Sequence, residues 1–447
     1  MKKLETELER LAASDLYPFH MPGHKRCGNP VFRTDITEID GFDNLHDPEG
    51  ILSEEMALAA DFYGTLETHF LINGSSCGIL AAISAAVPRR GRILIPREAH
   101  ISVYHAAYLR DLEVIYMNGN VPESPPDAVV LTSPSYEGCT ADVRAWADYA
   151  GKNSIPLIVD EAHGAHFSRH PYFPPSAVTL GADLVIQSTH KTLPAMTQTA
   201  LLHNVTGRVS GGQLRKYLRI FETSSPSYVL LSSITAALHG MMESGSGYFD
   251  GYAGRLKELR TALSGMERLR LAGGVNAVLR DDGELPPFRE GTVMDPGKIL
   301  ITCADGPALY DLLRERYHLQ PEMKTARSVL LMTSVNDTDE GFLRLKNALL
   351  EIDREADGAG TAEPADLPVP FAKMRISEAY DADAEDVPLC GAAGRISAGF
   401  VIVYPPDAPL IVPGEVYDEN VIRAVQAAER AGLTLTGCED GTVRCLK

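Results

Sequence analysis

Chemically capable side chains follow directly on two short apolar runs. Leu157-Ile158-Val159 leads into Asp160-Glu161-Ala162-His163, and Leu184-Val185-Ile186 leads into Gln187-Ser188-Thr189-His190-Lys191. A charge buried without a partner is expensive, so charges at strand ends are normally held by one. A third segment, Leu71-Ile72-Asn73-Gly74-Ser75-Ser76-Cys77-Gly78, reads as strand, tight turn and helix start. Its free backbone N–H groups and two hydroxyls suit a phosphate. Taken singly, each segment has an ordinary explanation as a turn with a helix cap, a strand-end cap or a solvated lysine.

Taken together, the three meet one demand: a cofactor with a phosphate, a cationic ring nitrogen and an aldehyde. The phosphate would sit at Ser75 and Ser76, helped by Ser188 and His190. Asp160 would keep a pyridine nitrogen protonated, and Lys191 would bond the aldehyde. That cofactor is pyridoxal 5'-phosphate. It needs no metal and no nucleotide-type glycine loop, and the chain shows no such loop. A zinc site could be drawn from His163 with His166, His20 with His24, or His100 with His105. The strand–turn spacing gives no compact ligand set and no cysteine joins it, so no metal is expected.

These residues need a scaffold that brings strand ends together. From 51 to about 205, helical stretches alternate with apolar runs at 69–72, 92–95, 113–117, 128–131, 156–159, 184–186 and 200–202. Strands that are apolar throughout and bounded by helices predict an α/β fold with a mainly parallel sheet covered on both faces. Ligands of such sheets lie beyond the carboxyl ends of the strands. The chain divides into an N-terminal arm (1–50), a large cofactor-binding domain (51–270) and a small α/β domain (271–351). A Gly-, Ala-, Pro- and acid-rich linker (352–370) and a C-terminal domain (371–447) complete it. Strands are expected at 277–279, 298–302 and 329–332.

The 447 residues carry 41 Lys and Arg against 60 Asp and Glu, a net charge of -19. An acidic balance of this size argues against a nucleic-acid partner. Neither a signal peptide nor an apolar run long enough for a membrane span is evident. The 7 cysteines are odd in number and scattered, which fits reduced thiols in the cytoplasm.

The chain resembles the ornithine/lysine/arginine decarboxylases of bacterial type, which are fold type I pyridoxal-phosphate enzymes. The likeness starts at Pro22-Gly23-His24-Lys25, Asp35-Ile36-Thr37-Glu38 and His46-Asp47-Pro48-Glu49-Gly50. Its centre is Arg97-Glu98-Ala99-His100, Asp160-Glu161-Ala162-His163-Gly164-Ala165-His166, Ser188-Thr189-His190-Lys191-Thr192-Leu193 and Ser225-Pro226-Ser227-Tyr228. It ends in Gly394-Arg395-Ile396-Ser397-Ala398, Tyr404-Pro405-Pro406 and Val412-Pro413-Gly414-Glu415.

The resemblance implies decarboxylation of arginine, lysine or ornithine to the amine and CO2. It implies that Lys191 holds the cofactor, that Asp160 pairs with the ring nitrogen, and that His100 stacks on one ring face with Ala162 under the other. Ser75, Ser76, Ser188 and His190 would hold the phosphate, and His163 belongs to the same cofactor set. It further implies a homodimer with the site at the subunit interface, where Ser225 and Ser227 reach the other subunit's cofactor. The short form, without the extra N-terminal domain of larger members, is the expected one.

Two departures stand out. Asp407 occupies a position where glycine is usual, which predicts a less tolerant turn, and Met21 stands where Thr is common. An aminotransferase or another pyridoxal-phosphate lyase is the alternative reading; an aminotransferase would clamp the substrate carboxylate with an arginine such as Arg327, Arg375 or Arg395. A basic substrate's far end would need a carboxylate, with Glu415, Asp407 and Glu38 as candidates. A non-catalytic scaffold is the third reading, and the intact Lys191 and Asp160 argue against it.

Overall fold

The computed structural model describes residues 3–117, 124–245, 247–273, 293–356, 367–404 and 407–447. The chain begins with helix α1 (Leu4–Ala13), α2 (Ile51–Tyr63), strand β1 (Glu67–Leu71), α3 (Gly74–Ala86), β2 (Arg92–Ile95), α4 (Ile101–Arg110), β3 (Glu113–Tyr116) and β4 (Ala128–Thr132). It continues through α5 (Val143–Asn153), β5 (Leu157–Asp160), α6 (Ala177–Leu180), β6 (Leu184–Gln187), α7 (Thr189–Thr192), β7 (Ala200–Asn204), α8 (Gly211–Phe221), α9 (Tyr228–Ser244) and α10 (Gly247–Leu263). Then come β8 (Arg270–Leu271), β9 (Lys298–Thr302), α11 (Gly306–Glu315), β10 (Met323–Lys324), β11 (Ser328–Met332) and α12 (Asp339–Glu355). The C-terminal part holds α13 (Ile376–Tyr380), β12 (Ala384–Pro388), β13 (Val401–Tyr404), β14 (Ala408–Ile411), α14 (Glu419–Arg430), β15 (Thr434–Thr436) and β16 (Thr442–Leu446).

These elements form two compact units, Met1–Ala86 with Val143–Gly251, and Val87–Asp142 with Tyr252–Lys447. In the first unit the strand order is β1-β7-β6-β5. β5 and β6 are parallel, while β7 runs antiparallel to both β6 and β1. The sheet is therefore mixed at this side, because the chain returns from α7 into β7 without a crossover helix. β1 and β6, both antiparallel to β7, point the same way, so the carboxyl ends of β1, β5 and β6 share one edge.

Consecutive strand residues face opposite sides, and β6 shows which helix covers which. A Cβ added at Gly78 of α3 would meet Leu71 Cδ1 at 2.6 Å and an Ile186 methyl at 3.2 Å, so α3 lies on the Ile186 face. Gln187, the next residue, bonds instead toward Ser176, which caps α6 on the other face. α3 can approach so closely because Gly78, Ala81 and Ala82 line its buried side. The arm helix α1 docks through the buried carboxylate of Glu55, which accepts the Leu4 N–H at 3.3 Å and pairs with His239 at 2.9 Å. Asp43 bonds the N–H groups of Gly50 and Leu52 at 2.7 and 3.1 Å and so satisfies the start of α2.

In the second unit β4, β2 and β3 are parallel neighbours. β10-β11-β9-β8 make an antiparallel sheet, and β14-β13-β15 and β12-β16 build the C-terminal part. The expected strand at 277–279 lies outside the described residues. The expected linker begins later than 352, because α12 runs on to Glu355 with Ile352 and Asp353 still buried; residues 357–366 lie outside the described part.

Gly78→Val should lower stability by about 1–3 kcal/mol, because Leu71 is fully buried and cannot swing its methyl into solvent. Denaturant melts of the variant against wild type check this; an unchanged midpoint would refute the close approach of α3.

Candidate active site

The parallel pairing of β5 with β6 continues past both strands. Asp160 is the Cα partner of Ile186, Glu161 N–H donates to the Ile186 carbonyl at 2.8 Å, and Ser188 N–H to the Ala162 carbonyl at 3.3 Å. Asp160 is 5% exposed and accepts the Ala162 N–H at 3.1 Å on Oδ1. α7 is a single turn that lifts Lys191 off the end of β6. The Lys191 Nζ lies 3.0 Å from Nε2 of His163, three residues beyond the end of β5. The structure thus joins Lys191, His163, Ala162 and Asp160 at one pair of strand ends.

Ser75 and Ser76 occupy the first turn of α3, where helix N–H groups have no intrahelical partner. Ser188 is completely buried, and its hydroxyl neither caps α7 nor finds another hydrogen-bond partner among the described residues. His190 Nδ1 donates to the Thr199 carbonyl at 2.8 Å. Burial, more than the neighbouring Lys191, pushes its imidazole below the usual range despite that bond. An orphaned buried hydroxyl, an open helix start, an amine and a carboxylate along one sheet edge are the donor set that pyridoxal phosphate requires. Ser225 is exposed, and the Ser227 hydroxyl accepts the Leu230 N–H to cap α9.

Two buried acids were not singled out in the sequence. Glu161, on the face opposite Asp160, accepts from Ser176 Oγ, Ala177 N–H and Gln187 Nε2, each at 2.6 Å. Burial nevertheless pushes its carboxyl up to about 7. Gln187 Oε1 accepts from His203 Nε2 at 3.1 Å, and His203 Nδ1 accepts from Thr68 Oγ1 at 2.8 Å. Burial drops that imidazole to about 3, so it remains neutral and its tautomer is fixed. Glu222 holds the turn after β1, and burial pushes it too up to about 7. Their signal was a charge beside an apolar run with no partner in sequence.

In the second unit, His100 caps α4, its Nδ1 accepting from Ser102 N–H at 3.2 Å and lying 2.8 Å from Ser102 Oγ. Nε2 faces Asp407, 3.8 Å from Oδ2. Asp407 takes the left-handed conformation, φ 61°, in spite of its side chain. The turn is paid for by backbone bonds, its N–H to Val403 at 3.1 Å and its carbonyl from Ile101 at 3.2 Å. Glu415 is not a substrate carboxylate: it is 1% exposed, and Arg97 grips both oxygens at 2.7 and 3.1 Å with Tyr116 Oη at 2.8 Å. Arg395 bonds Glu385 and the Leu446 carbonyl, Arg375 sits 4.0 Å from Asp111, and Glu38 is exposed.

Residues 6–125 and 118–274 match the profile described as Orn/Lys/Arg decarboxylase, major domain, and residues 368–442 match the C-terminal domain of the same family. The chain belongs to the Orn/Lys/Arg decarboxylase family. Membership carries the family-level reaction, pyridoxal-phosphate-dependent decarboxylation of a basic amino acid. An arginine decarboxylase of Bacillus subtilis is 30% identical over 483 residues, covering 99% of this chain and 97% of the relative. Lysine decarboxylase LdcA of Pseudomonas aeruginosa is 23% identical, covering 92% and 73%. Among solved structures, the constitutive lysine decarboxylase of Escherichia coli has a TM-score of 0.84 at 18% identity, over 99% of this chain and 82% of that one. That likeness supports the α/β, fold type I architecture. Among the described residues, no helix is long and apolar enough to cross a membrane.

An acid raised to about 7 stays protonated in the fold while the unfolded chain has already ionised. Its stabilising contribution is complete below the unfolded value and is lost as pH climbs through about 7. Glu161→Gln should therefore lose less thermal stability between pH 5 and 8 than wild type does. Melting curves at both pH values test this, and equal losses would refute it.

Proposed function

We propose that the protein is a pyridoxal 5'-phosphate decarboxylase acting on arginine in preference to lysine and ornithine, working as a homodimer. The observation that carries the reading is the Lys191 amine against His163, with Asp160 on the adjoining parallel strand end. Preference for arginine is supported by three relatives: arginine decarboxylases of Halalkalibacterium halodurans, Bacillus subtilis and Bacillus anthracis match at 28–30% identity over 96% or more of this chain, the lysine decarboxylase LdcA at 23%. Exposed Ser225 supports a role for that loop at the other subunit's site.

When bound, the cofactor's protonated ring supplies the electron sink for loss of CO2. Asp160 would keep the proton on the ring nitrogen, and its burial strengthens that pairing. Ser75, Ser76, Ser188 and His190 hold the phosphate, with Ala162 and His163 completing the cofactor set. Lys191 carries the cofactor, and His163 steers its amine. The role of His100 rests on the motif likeness; its fixed Nδ1 leaves Nε2 as the proton-bearing atom. The proton returned to Cα comes from Lys191 or His100. An apolar surround for the departing carboxylate favours the step, since charge is lost as CO2 forms. Arg395 is bonded to Glu385 and Arg375 lies 4.0 Å from Asp111, which disfavours these two as the carboxylate clamp of an aminotransferase.

Purified protein with pyridoxal phosphate should release CO2 and agmatine from arginine with a higher kcat/KM than CO2 from lysine or ornithine. Lys191→Ala should abolish that release along with the absorbance of lysine-bound cofactor. Keto-acid formation with an acceptor, and no CO2, would overturn the decarboxylase reading; undiminished turnover in Lys191→Ala would overturn the role of the lysine.

A further inference from the structure

Glu222 takes no part in the chemistry above, yet it holds the turn from which α3 starts. It follows α8 as its C-cap and is 7% exposed. Its Oε1 accepts the Ile72 N–H at 3.0 Å, and Asn73 and Cys77 are the other neighbours that act on the carboxylate. The opposite side of the same turn is held by Gln198, whose Nε2 donates to the Ile72 carbonyl at 2.6 Å and whose carbonyl accepts the Gly74 N–H at 2.9 Å. Ile72, Asn73 and Cys77 bracket Ser75 and Ser76. The carboxylate therefore sits within one turn of the helix start to which a phosphate is assigned.

We propose that Glu222 is a positioning residue for the phosphate-binding turn, and that it takes up a proton from solvent when a phosphate dianion settles there. This rests on the pyridoxal-phosphate reading given above. Two negative charges sharing a poorly screened space repel, and the carboxylate can relieve this by becoming a neutral acid. Protonation leaves the turn intact: Oε1 still accepts the Ile72 N–H, while the other oxygen carries the proton. The step consumes one solvent proton and changes no covalent bond other than the O–H formed.

The surroundings favour this exchange. Burial already brings the acid to about 7, so neutral pH suffices to protonate it. Among the described residues, the groups acting on it are Ile72 and Asn73 from the β1–α3 turn and Cys77 from α3, and none is a cation. On α8 itself, Arg219 is turned to the His46 carbonyl and Asp47. His46, from the arm, bonds the Thr223 carbonyl instead.

The test is binding of pyridoxal 5'-phosphate, with pyridoxal as the control lacking the phosphate, to wild type and Glu222→Gln between pH 6.5 and 8.5. Glutamine keeps an oxygen for the Ile72 N–H and removes the charge. Wild-type Kd for pyridoxal phosphate should rise above pH 7 relative to the variant, by up to about tenfold per pH unit, with no such divergence for pyridoxal. Parallel curves for the two proteins, with cofactor bound to both, overturn the proposal and leave the decarboxylase reading standing. Failure of wild type to bind the cofactor overturns both. Calorimetry of wild type in two buffers of different ionisation enthalpy gives an answer independent of the variant's folding. At pH 7.5 pyridoxal phosphate should take up more protons than pyridoxal, and equal uptake overturns the proposal.

Discussion

Everything at the site depends on the register between β5 and β6. Asp160 opposite Ile186, extended by the Glu161 and Ser188 backbone bonds, sets which side chains share a face. Asp160 and Ile186 belong to the α3 side, Glu161 and Gln187 to the α6 side. A slip of one residue would exchange the two sets, turning Asp160 away from the ring-pairing side and burying Glu161 without the donors of α6. The register is protected from both faces. On one, α3 packs into the space left by Gly78; on the other, three donors converge on Glu161.

The two carboxylates Glu161 and Glu222 solve the same problem at two turns. A chain leaving a buried strand end presents N–H groups that water cannot reach, and each must be paired. Glu161 takes the Ala177 N–H at the start of α6 and Glu222 the Ile72 N–H before α3. An acid does this better than an amide because both oxygens accept, so one side chain serves two or three donors. The accompanying penalty is the desolvated charge, which burial converts into a carboxyl that titrates near neutrality. The polar chain from Glu161 through Gln187 and His203 to Thr68 extends the same logic across four strands, with no member left short of a partner.

What the sequence made legible was whatever apolar burial dictates. The runs at Arg92–Ile95 and Leu184–Gln187 are strands because every residue after the first is buried from both sides, and that leaves a continuous hydrophobic signature. Lys191 and Asp160 were visible as charges at the ends of such runs. The strands β12 and β15 were not, because their residues are polar and mostly half-buried or exposed, so no period marks them. α6 and α7 are single turns too short to carry a helical pattern. Glu161 and Glu222 escape, and Glu415 reads as a candidate substrate carboxylate, for a different reason: their donors lie 16, 150 and 318 residues away, and no local pattern encodes so distant a partner.

Glu415 shows why a count of acids is a poor guide to the group that reads a cationic substrate. Its two oxygens are occupied by Arg97, Tyr116 and the Val412 N–H, and removing it would leave a buried guanidinium uncompensated. Its role is to lock β14's following turn to Arg97. A carboxylate that recognises an incoming cation must instead be placed by its backbone, so that its oxygens are not consumed in holding the fold. Asp407 meets that condition within its unit. The backbone bonds to Val403 and Ile101 fix the residue, and the side chain is left 37% exposed and turned toward His100. The left-handed backbone that a glycine would adopt freely is thus taken here by a residue that carries a carboxylate.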